Sequence, residues 1–453
     1  MGSNGEDPHR FMTIENGYDI RGPKWSPDGR RVLYLKNRLG GTESSVEARA
    51  VAGGATDVLY SGTGLLDFWW TSDGHLIYSQ AVPSEQATYE LWALPVDIST
   101  ARRTGEARRL TRWVGYSPGF VSVSADGKRI ITTKGYTQSD VYVAQLEANG
   151  TRLKAERPIT TDTRSDWPTS WTKDGKAILF FSDRNGPFGI FSQTLSDPAA
   201  QPVVSGQGDA RAPQITPDGQ WLLYMVWPEL KAGSTTGPVR LMRLPLAGGP
   251  STAVLETRGA FASGITFSVV GEQDTQGKGG RIFPDLRCPS SPRALCVLAE
   301  ADQDQIVFTP FDPIQGKKAE AARVRIPPSR LFWDLSPDGS RIAYGEFYPG
   351  GGEEITLIPI EKGTTQRIPL KGWTNLNSVS WSADGRSLFV TTSRREGSDM
   401  LHLDFDGKAN WICCAATGRW VVNPRPSPDG RFLTYAVRTV DSNVWLIENA
   451  AKN

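Results

Sequence analysis

The chain is poor in residues that build metal and redox sites, and it has no long apolar segment. Its 453 residues include only 3 histidines, 4 cysteines and 5 methionines. The histidines (His9, His75 and His402) are too scattered along the chain to suggest a histidine-rich metal site. The longest apolar run, WLLYMVW at 221–227, is far shorter than the ~20 residues that a membrane-spanning helix needs. We therefore expect no metal, no cofactor and no transmembrane segment.

An excess of charge of one sign is also missing. The 50 Lys and Arg residues nearly balance the 49 Asp and Glu residues, and the formal net charge is +1. Binding to nucleic acid requires a clearly basic surface, so we expect no nucleic-acid partner. The opening MGSNGEDPHR is polar and lacks the apolar stretch of a signal peptide. We predict that residues 1–9 are a disordered tail or a remnant of cloning.

Turn-forming and aromatic residues are plentiful, and they follow a repeat. The unit is an apolar strand, a Ser-Pro-Asp-Gly-like turn and a second apolar strand, as in WSPDGRRVLYL from Trp25. Proline presets φ in such a turn and glycine takes the left-handed conformation, which closes an antiparallel hairpin. The turn aspartates are Asp28, Asp73, Asp126, Asp174, Asp218, Asp338, Asp384 and Asp429. A ninth, degenerate unit occupies 285–313, where Pro289-Ser290-Ser291-Pro292 replaces the usual turn.

The repeats predict an all-β protein built as a single closed β-propeller. Each unit of 45–50 residues has room for four antiparallel strands, which is typical of a propeller blade. Nine blades follow from the repeat count, and eight blades are the alternative. We expect the propeller to span 10–449, with a strand at 10–14 pairing with the last blade. The Gly-rich region 259–284 is predicted as an inserted loop.

The repeats resemble the TolB-type, WD40-like propeller repeat of bacteria over nearly the whole chain. The C-terminal half also resembles the propeller regions of acidobacterial serine/threonine kinases and winged-helix regulators. Phrases that carry this second resemblance are RCPSSPRALCVLAE at 287–300 and WDLSPDGSRIA at 333–343. The resemblance implies a sensory or protein-interaction module of a signalling system. Kinase signature elements and a helix-turn-helix pattern do not occur in the sequence itself.

Catalytic patterns are few. The G-x-S-x-G turn of serine hydrolases does not occur, and we assign no catalytic residue. The turn aspartates are explained by their turns and are not expected to bind calcium. Cys288 and Cys296 flank one hairpin, and the sequence leaves open whether they form a disulfide, which would fit an extracytoplasmic protein.

Candidate ligand-binding residues come from the segments that lead into the first strand of each blade. In a propeller these segments surround one mouth of the central channel, and loops on such a rigid frame often carry binding sites. Arginine, tryptophan and asparagine together suit a peptide carboxylate, a glycan or an acidic partner. The candidates are Arg21, Asp67, Trp69, Asp166, Trp167, Arg211, Arg287, Arg330, Asn375, Asn377, Asn423 and Arg425.

The leading hypothesis for function is a non-enzymatic sensory or interaction propeller that binds a protein partner or a small ligand, peptide or glycan, at the channel mouth. One alternative is a propeller enzyme that cleaves glycan or peptide with Asp67 and Asp166, since two carboxylates can catalyse glycoside hydrolysis. Another is a TolB-like periplasmic scaffold. The sequence leaves the compartment open, and a periplasmic or other extracytoplasmic location as part of a larger protein is one interpretation.

Overall fold

The computed structural model of the protein describes twelve stretches of the chain. They are residues 10–38, 43–82, 89–112, 117–206, 208–228, 238–257, 284–302, 305–325, 330–347, 354–394, 397–414 and 418–448. Within them the protein is all-β, with a single 3₁₀ turn at Ala148–Gly150. None of the described residues belongs to a helix long and apolar enough to cross a membrane. The predicted tail and nearly all of the predicted insertion at 259–284 lie outside the described residues.

The chain divides into two compact units. Unit 1 comprises Met1–Tyr136, Leu230–Thr235 and Asp441–Asn453, and unit 2 comprises Thr137–Glu229 and Thr236–Val440. Unit 1 begins with a sheet of four consecutive strands, β1 (Tyr18–Trp25), β2 (Arg31–Arg38), β3 (Glu43–Ala50) and β4 (Thr56–Thr63). Its second sheet contains β5 (Leu65–Trp70), β6 (His75–Ala81) and β7 (Tyr89–Asp97), with β8 (Arg102–Arg103) and β9 (Arg108–Arg109) both paired to β7.

Three strands then lead from unit 1 into unit 2, namely β10 (Ser117–Val123), β11 (Arg129–Glu147) and β12 (Arg152–Pro158). Two four-stranded sheets follow in unit 2. The first consists of β13 (Asp166–Trp171), β14 (Ala177–Ser182), β15 (Gly189–Thr194) and β16 (Gln201–Val204). The second consists of β17 (Asp209–Ile215), β18 (Trp221–Trp227), β19 (Val239–Pro245) and β20 (Thr252–Thr257).

Three further sheets continue the series. The first has β21 (Asp285–Arg287), β22 (Cys296–Asp302) and β23 (Gln305–Asp312), with β24 (Gly316–Lys317) and β25 (Ala322–Arg325) on β23. The second has β26 (Arg330–Leu335), β27 (Arg341–Phe347), β28 (Glu354–Pro359) and β29 (Gln366–Pro369). The third has β30 (Leu376–Trp381), β31 (Ser387–Arg394), β32 (Gly397–Asp404) and β33 (Ala409–Cys414).

The last sheet joins distant parts of the chain. Strands β34 (Arg419–Pro426) and β35 (Phe432–Glu448) form a hairpin, and β35 also pairs with β11. Within unit 2, the amide of Leu146 donates to the carbonyl of Arg431 at 2.8 Å, and Thr434 Oγ1 donates to the carbonyl of Tyr142 at 2.8 Å. The strand order in unit 2 is therefore β34, β35, β11 and β12. The two ends of unit 2 are held together by this sheet.

The predicted Ser-Pro-Asp-Gly turns are confirmed at all eight positions. In the turn before β27, Ser336 Oγ donates to Asp338 at 2.5 Å and accepts from the amide of Arg341 at 2.9 Å. The amide of Gly339 donates to the carbonyl of Ser336 at 2.8 Å, and its φ of +74° requires glycine. Each of these turns closes the hairpin between the first and second strands of a sheet, as expected.

The predicted count of nine blades, with eight as the alternative, is not confirmed: the nine hairpins build eight sheets among the described residues. The hairpins of Asp126 and Asp429 fall in one sheet, since β11 and β35 are 19 and 17 residues long. The first part of β11 pairs with β10 in unit 1, and its last part pairs with β12 in unit 2. Residues 10–14, predicted as the closing outer strand, carry no strand, and β11 lies beside β35 instead.

Apolar side chains fill the spaces between successive sheets. Between the β26–β29 sheet and the β30–β33 sheet, for example, Ile355 and Leu357 pack with Trp381, Leu388 and Leu401. Burying side chains of this size stabilises the fold by roughly 1.5–3 kcal/mol each. Successive antiparallel sheets therefore pack face to face, which is typical of propeller blades.

Candidate functional site

The first strands of the six sheets of unit 2 are called inner strands here. They are β13, β17, β21, β26, β30 and β34. Near the turn that follows each inner strand, polar contacts join it to its neighbours. Trp171 Nε1 at the end of β13 donates to the carbonyl of Arg425 on β34 at 2.9 Å. Ser170 Oγ donates to the carbonyl of Pro213 on β17 at 3.0 Å.

The contacts continue from β17 to β26. Gln214 Oε1 on β17 accepts a hydrogen bond from the amide of Cys288, directly after β21, at 3.4 Å. Arg287, the last residue of β21, places its Nε 3.4 Å from Oδ1 of Asp334 on β26. Thus a charged pair links these two inner strands.

Asp334 is the hub of the remaining contacts. Its Oδ2 accepts from Ser380 Oγ at 2.9 Å and from the amide of Trp381 at 3.0 Å, both on β30. Its Oδ1 lies 3.2 Å from Nη1 of Arg425 on β34, and the same Nη1 donates to Ser380 Oγ at 3.1 Å. Each inner strand is therefore bridged by polar contacts to the next one, from β34 through β13, β17, β21, β26 and β30 back to β34.

A pocket of 170 Å³ lies at this level of unit 2. We call it the turn-end pocket and define it by its four ionisable lining residues, Lys173, Arg287, Asp334 and Arg425. All six inner strands or their following turns contribute to its lining. Trp171, Trp381 and four prolines supply apolar wall. The pocket combines a positively charged wall with apolar surface.

Burial shapes the electrostatics of the pocket. The side chains of Arg287, Arg425 and Asp334 are only 16%, 12% and 11% exposed. Burial lowers the pKa of Arg425, and the nearby charge of Arg287 acts in the same direction, whereas Asp334 opposes both effects. Two guanidinium groups thus share one carboxylate oxygen in a place where water screens them poorly.

A disulfide joins Cys288 and Cys296, which answers the question that the sequence left open. It spans the one hairpin between first and second strands in unit 2 whose turn lacks Asp-Gly. Cys288, Pro289 and Ser290 line the turn-end pocket, and Arg287 is the residue before them. The cross-link therefore restrains the segment that presents Arg287.

Of the predicted candidates whose side chains the structure describes, Arg287 and Arg425 alone line the turn-end pocket. Both lie at the turn end of their strands, whereas the prediction placed them at the start. Strand β21 has only three residues, so its start and its end nearly coincide. In β34 a bulge at Asn423, whose φ is +54°, shifts the register before Arg425.

Asp166 and Trp167, predicted beside the channel mouth, are buried at the start of β13. Both oxygens of Asp166 accept from Arg184 Nη2, at 2.9 and 3.0 Å, and Asp166 is fully buried. Trp167 is 5% exposed and packs with Phe181 and Phe188. These two residues support the fold and leave no polar group open to a ligand.

The other candidates of unit 2 have local partners. Arg211 Nε and Nη2 each donate to Asp209 at 2.7 Å, and the guanidinium stacks 4.2 Å from the Phe188 ring centroid. Asn375 Nδ2 donates to the carbonyl of Ser393 at 3.3 Å. Asn377 is half-buried in β30, and Arg330 is the first residue of β26, with its side chain outside the described part.

The candidates of unit 1 are also paired. Arg21 is exposed and donates to Asp19 at 2.7 Å. Asp67 accepts from Lys24 Nζ at 2.7 Å and from the amide of Val121 at 2.8 Å, and Lys24 Nζ lies 5.1 Å from the Trp69 ring centroid. Asp67 lies in unit 1 and Asp166 in unit 2, and each is occupied by an ion pair. The structure therefore gives no support to the predicted carboxylate pair.

Sequence reasoning missed that the site follows one repeat position. Two residues before the first turn residue, unit 2 has a polar or charged residue in each of its six sheets. In chain order these residues are Ser170, Gln214, Arg287, Asp334, Ser380 and Arg425, and all six line the turn-end pocket. Aligning the repeats on their turns and reading this one column would have identified them.

Comparisons with known proteins find structural likeness only. No protein family matches the chain, and no curated protein matches it. Similar solved structures include TolB from Acinetobacter baumannii, at 13% identity over 91% of this chain and 66% of that chain, with a TM-score of 0.23. An oligogalacturonate lyase in complex with manganese is 11% identical over 92% of this chain and 87% of that chain, with a TM-score of 0.31.

A nidogen/laminin complex matches 67% of this chain and 98% of the other chain, at 11% identity and a TM-score of 0.41. At such low scores these likenesses add no argument about function, and the propeller-like architecture rests on the sheets themselves. The described residues contain no group of three or more His, Cys, Asp or Glu residues arranged to hold a metal ion. The resemblance to acidobacterial kinases and regulators stays a prediction.

Proposed function

We propose that unit 2 is a six-bladed propeller that binds a ligand or a partner segment in the turn-end pocket, without catalysing a reaction. The six blades are the five consecutive sheets from β13 to β33 and the sheet β34-β35-β11-β12. The observation that carries the proposal is the circuit of polar contacts through the six inner strands, with the pocket at its level. A rigid frame of this kind can carry a binding site without disturbing its core.

The disulfide supports an extracytoplasmic location for this module. Stable disulfides form and persist in oxidising compartments and are rare in the cytosol. Cys288 and Cys296 are bonded beside the pocket, and the bond holds a hairpin that has no Asp-Gly turn. A sensory or interaction propeller outside the cytoplasm fits this chemistry.

A thermal-shift screen tests the proposal. The panel contains short peptides, oligosaccharides, small organic acids and divalent metals. A ligand that binds only the folded protein stabilises it and thereby raises Tm. The stabilisation is about 2.7 kcal/mol when the ligand concentration is a hundred times Kd. We expect a shift with the wild type that is lost in Ser290→Trp, because Ser290 is exposed and lines the pocket.

The matched control is Lys362→Trp, which adds the same ring to an exposed position between β28 and β29 outside the pocket lining. It should keep the wild-type response. A ligand that shifts both variants as strongly as the wild type would show that binding occurs elsewhere, and the proposed site would then be wrong.

A further inference from the structure

The charges of the turn-end pocket do not balance within its lining. Lys173, Arg287 and Arg425 contribute three positive charges, and Asp334 contributes one negative charge. Asp285 pairs with Arg287 Nη1 at 2.6 Å, and the charge of Asp218 acts on Lys173, but neither carboxylate is part of the lining. A partly enclosed pocket with such an excess concentrates anions, because low-dielectric walls focus its field.

The two arginines also retain hydrogen-bonding capacity. A guanidinium has five N–H donors. The hydrogen bonds of Arg287 and Arg425 to described residues all come from Nη1. Both Nε atoms are buried without a hydrogen bond to a described residue, although Arg287 Nε lies 3.4 Å from Asp334 Oδ1 in an ion pair. Buried donors without partners are costly, so an acceptor entering beside these side chains would be stabilising.

The walls of the pocket select the kind of anion. Trp171, Trp381, Leu335 and Ile215 present apolar surface next to the arginines. An inorganic anion would leave this surface in contact with water. An acid group carried on a carbon chain would bind the guanidinium and cover the apolar wall at the same time.

We infer that the turn-end pocket binds a carboxylate carried on a short aliphatic stem, such as a glutamate side chain or a small dicarboxylic acid. The inference rests on the proposed function and specifies its ligand. Arg287 and Arg425 hold the carboxylate, and Lys173, which is exposed at the rim, attracts it. Asp334 already accepts two hydrogen bonds and forms ion pairs with both arginines, so it serves to position them.

The test uses calorimetric titration of the whole chain with two blocked peptides, acetyl-Gly-Glu-Gly-amide and acetyl-Gly-Gln-Gly-amide, and with succinate and inorganic phosphate. We expect the Glu peptide, succinate or both to bind. If the Glu peptide binds, the Gln peptide should bind at least about tenfold more weakly. Binding of the Glu peptide alone would indicate a protein partner as the source, and binding of succinate alone would indicate a free acid. Phosphate that binds as tightly as either acid would overturn the inference.

Variants sharpen the test. Lys173→Glu should weaken binding of the acid about three- to tenfold and reduce its dependence on salt, because a rim charge acts through long-range attraction. Lys176→Glu is the control, since Lys176 is exposed near the same turn but does not line the pocket. The comparison of Glu and Gln peptides needs no variant, so it remains decisive if an arginine variant fails to fold.

Failure of this inference differs from failure of the proposed function. If the Glu and Gln peptides bind equally and Ser290→Trp abolishes both, the pocket is a binding site but not a carboxylate site. If neither peptide nor succinate binds, the carboxylate inference is wrong, and the wider panel above still decides whether the pocket binds anything.

Discussion

Charged side chains at the two ends of the inner strands in unit 2 are paired differently. At the start end, Asp166 pairs with Arg184 from its own sheet, and Arg211 pairs with Asp209 from its own strand. At the turn end, one carboxylate, Asp334, serves partners from three other sheets. A charge pair within one blade forms whether or not its neighbours are in place. The turn-end cluster exists only when these sheets are packed together.

The largest expected effect breaks this cluster. Asp334→Ala leaves Arg287 and Arg425 facing each other without their shared acceptor, and we expect it to lower the free energy of unfolding by about 3–5 kcal/mol. Urea denaturation followed by tryptophan fluorescence measures the change. The counterpart at the start end is Asp166→Ala, for which we expect a smaller loss, because Arg184 Nη2 keeps its ion pair with Asp162 at 3.0 Å.

The two variants should separate in ligand binding. Asp166→Ala should retain the thermal-shift response of the turn-end pocket wherever it remains folded, whereas Asp334→Ala should lose it. Equal responses from both folded variants would contradict the distinction between the two ends.

The second effect concerns the cross-link beside the pocket. Replacing Cys288 and Cys296 together by serine should lower the free energy of unfolding by about 2–3 kcal/mol, because the unfolded chain loses the restraint of a short closed loop. Treating the wild type with a reductant should give a similar loss, and the same reductant should leave the double variant unchanged. A wild type that is insensitive to reduction under unfolding conditions would contradict the stabilising role of the bond.

A smaller effect comes from the indole N–H groups that connect inner strands. Trp171→Phe and Trp381→Phe keep an aromatic ring but remove the donors to the carbonyls of Arg425 and Asp334. Each should cost about 1 kcal/mol more than Trp333→Phe. Trp333 is a buried residue of β26 whose Nε1 has no hydrogen-bond partner in the described part. Equal losses in all three variants would mean that the smaller ring accounts for the whole loss of stability and that these hydrogen bonds contribute nothing.

The last effect is a pH dependence that belongs to the region around the start of β13. Burial raises the pKa of Asp140 to about 6, with added repulsion from Asp166 and Asp162. Because the folded state holds this proton more tightly than the unfolded state does, stability should fall as pH rises from about 4 to 6. Asp140→Asn should flatten that part of the curve, measured as the urea midpoint against pH. An unchanged slope in the variant would assign the dependence to another acid.

The prediction of the fold succeeded where local chemistry decides the structure. A turn such as Ser336-Pro-Asp-Gly needs only its own hydroxyl, carboxylate and glycine, so the hairpins could be located from the sequence. The number of sheets could not be predicted, because β11 is continuous. Its first part pairs with β10, whereas its last part pairs with β12. Nothing in the sequence of Arg129–Glu147 marks where one sheet ends and the next begins.

The proposed pocket lies at the opposite end of the strands from the predicted site residues for a related reason. Arginine and aspartate at strand starts are predicted to be available to a ligand, but Arg211 and Asp166 form ion pairs within their own sheet. The residues that line the turn-end pocket include serine, glutamine and a single aspartate, which are unremarkable in any one repeat. Their meaning appears only when six repeats place the same position around one pocket.

The all-β class, the positions of the hairpins and the residues of each turn could be predicted from the sequence, because they depend on contacts between residues a few positions apart. Tertiary structure decided which hairpins share a sheet, the division into two units, the disulfide and the pairing of each charge. Those outcomes depend on contacts between distant segments, such as Arg425 with Asp334. Because the repeats are similar, which of them become partners is decided only when the sheets pack against one another.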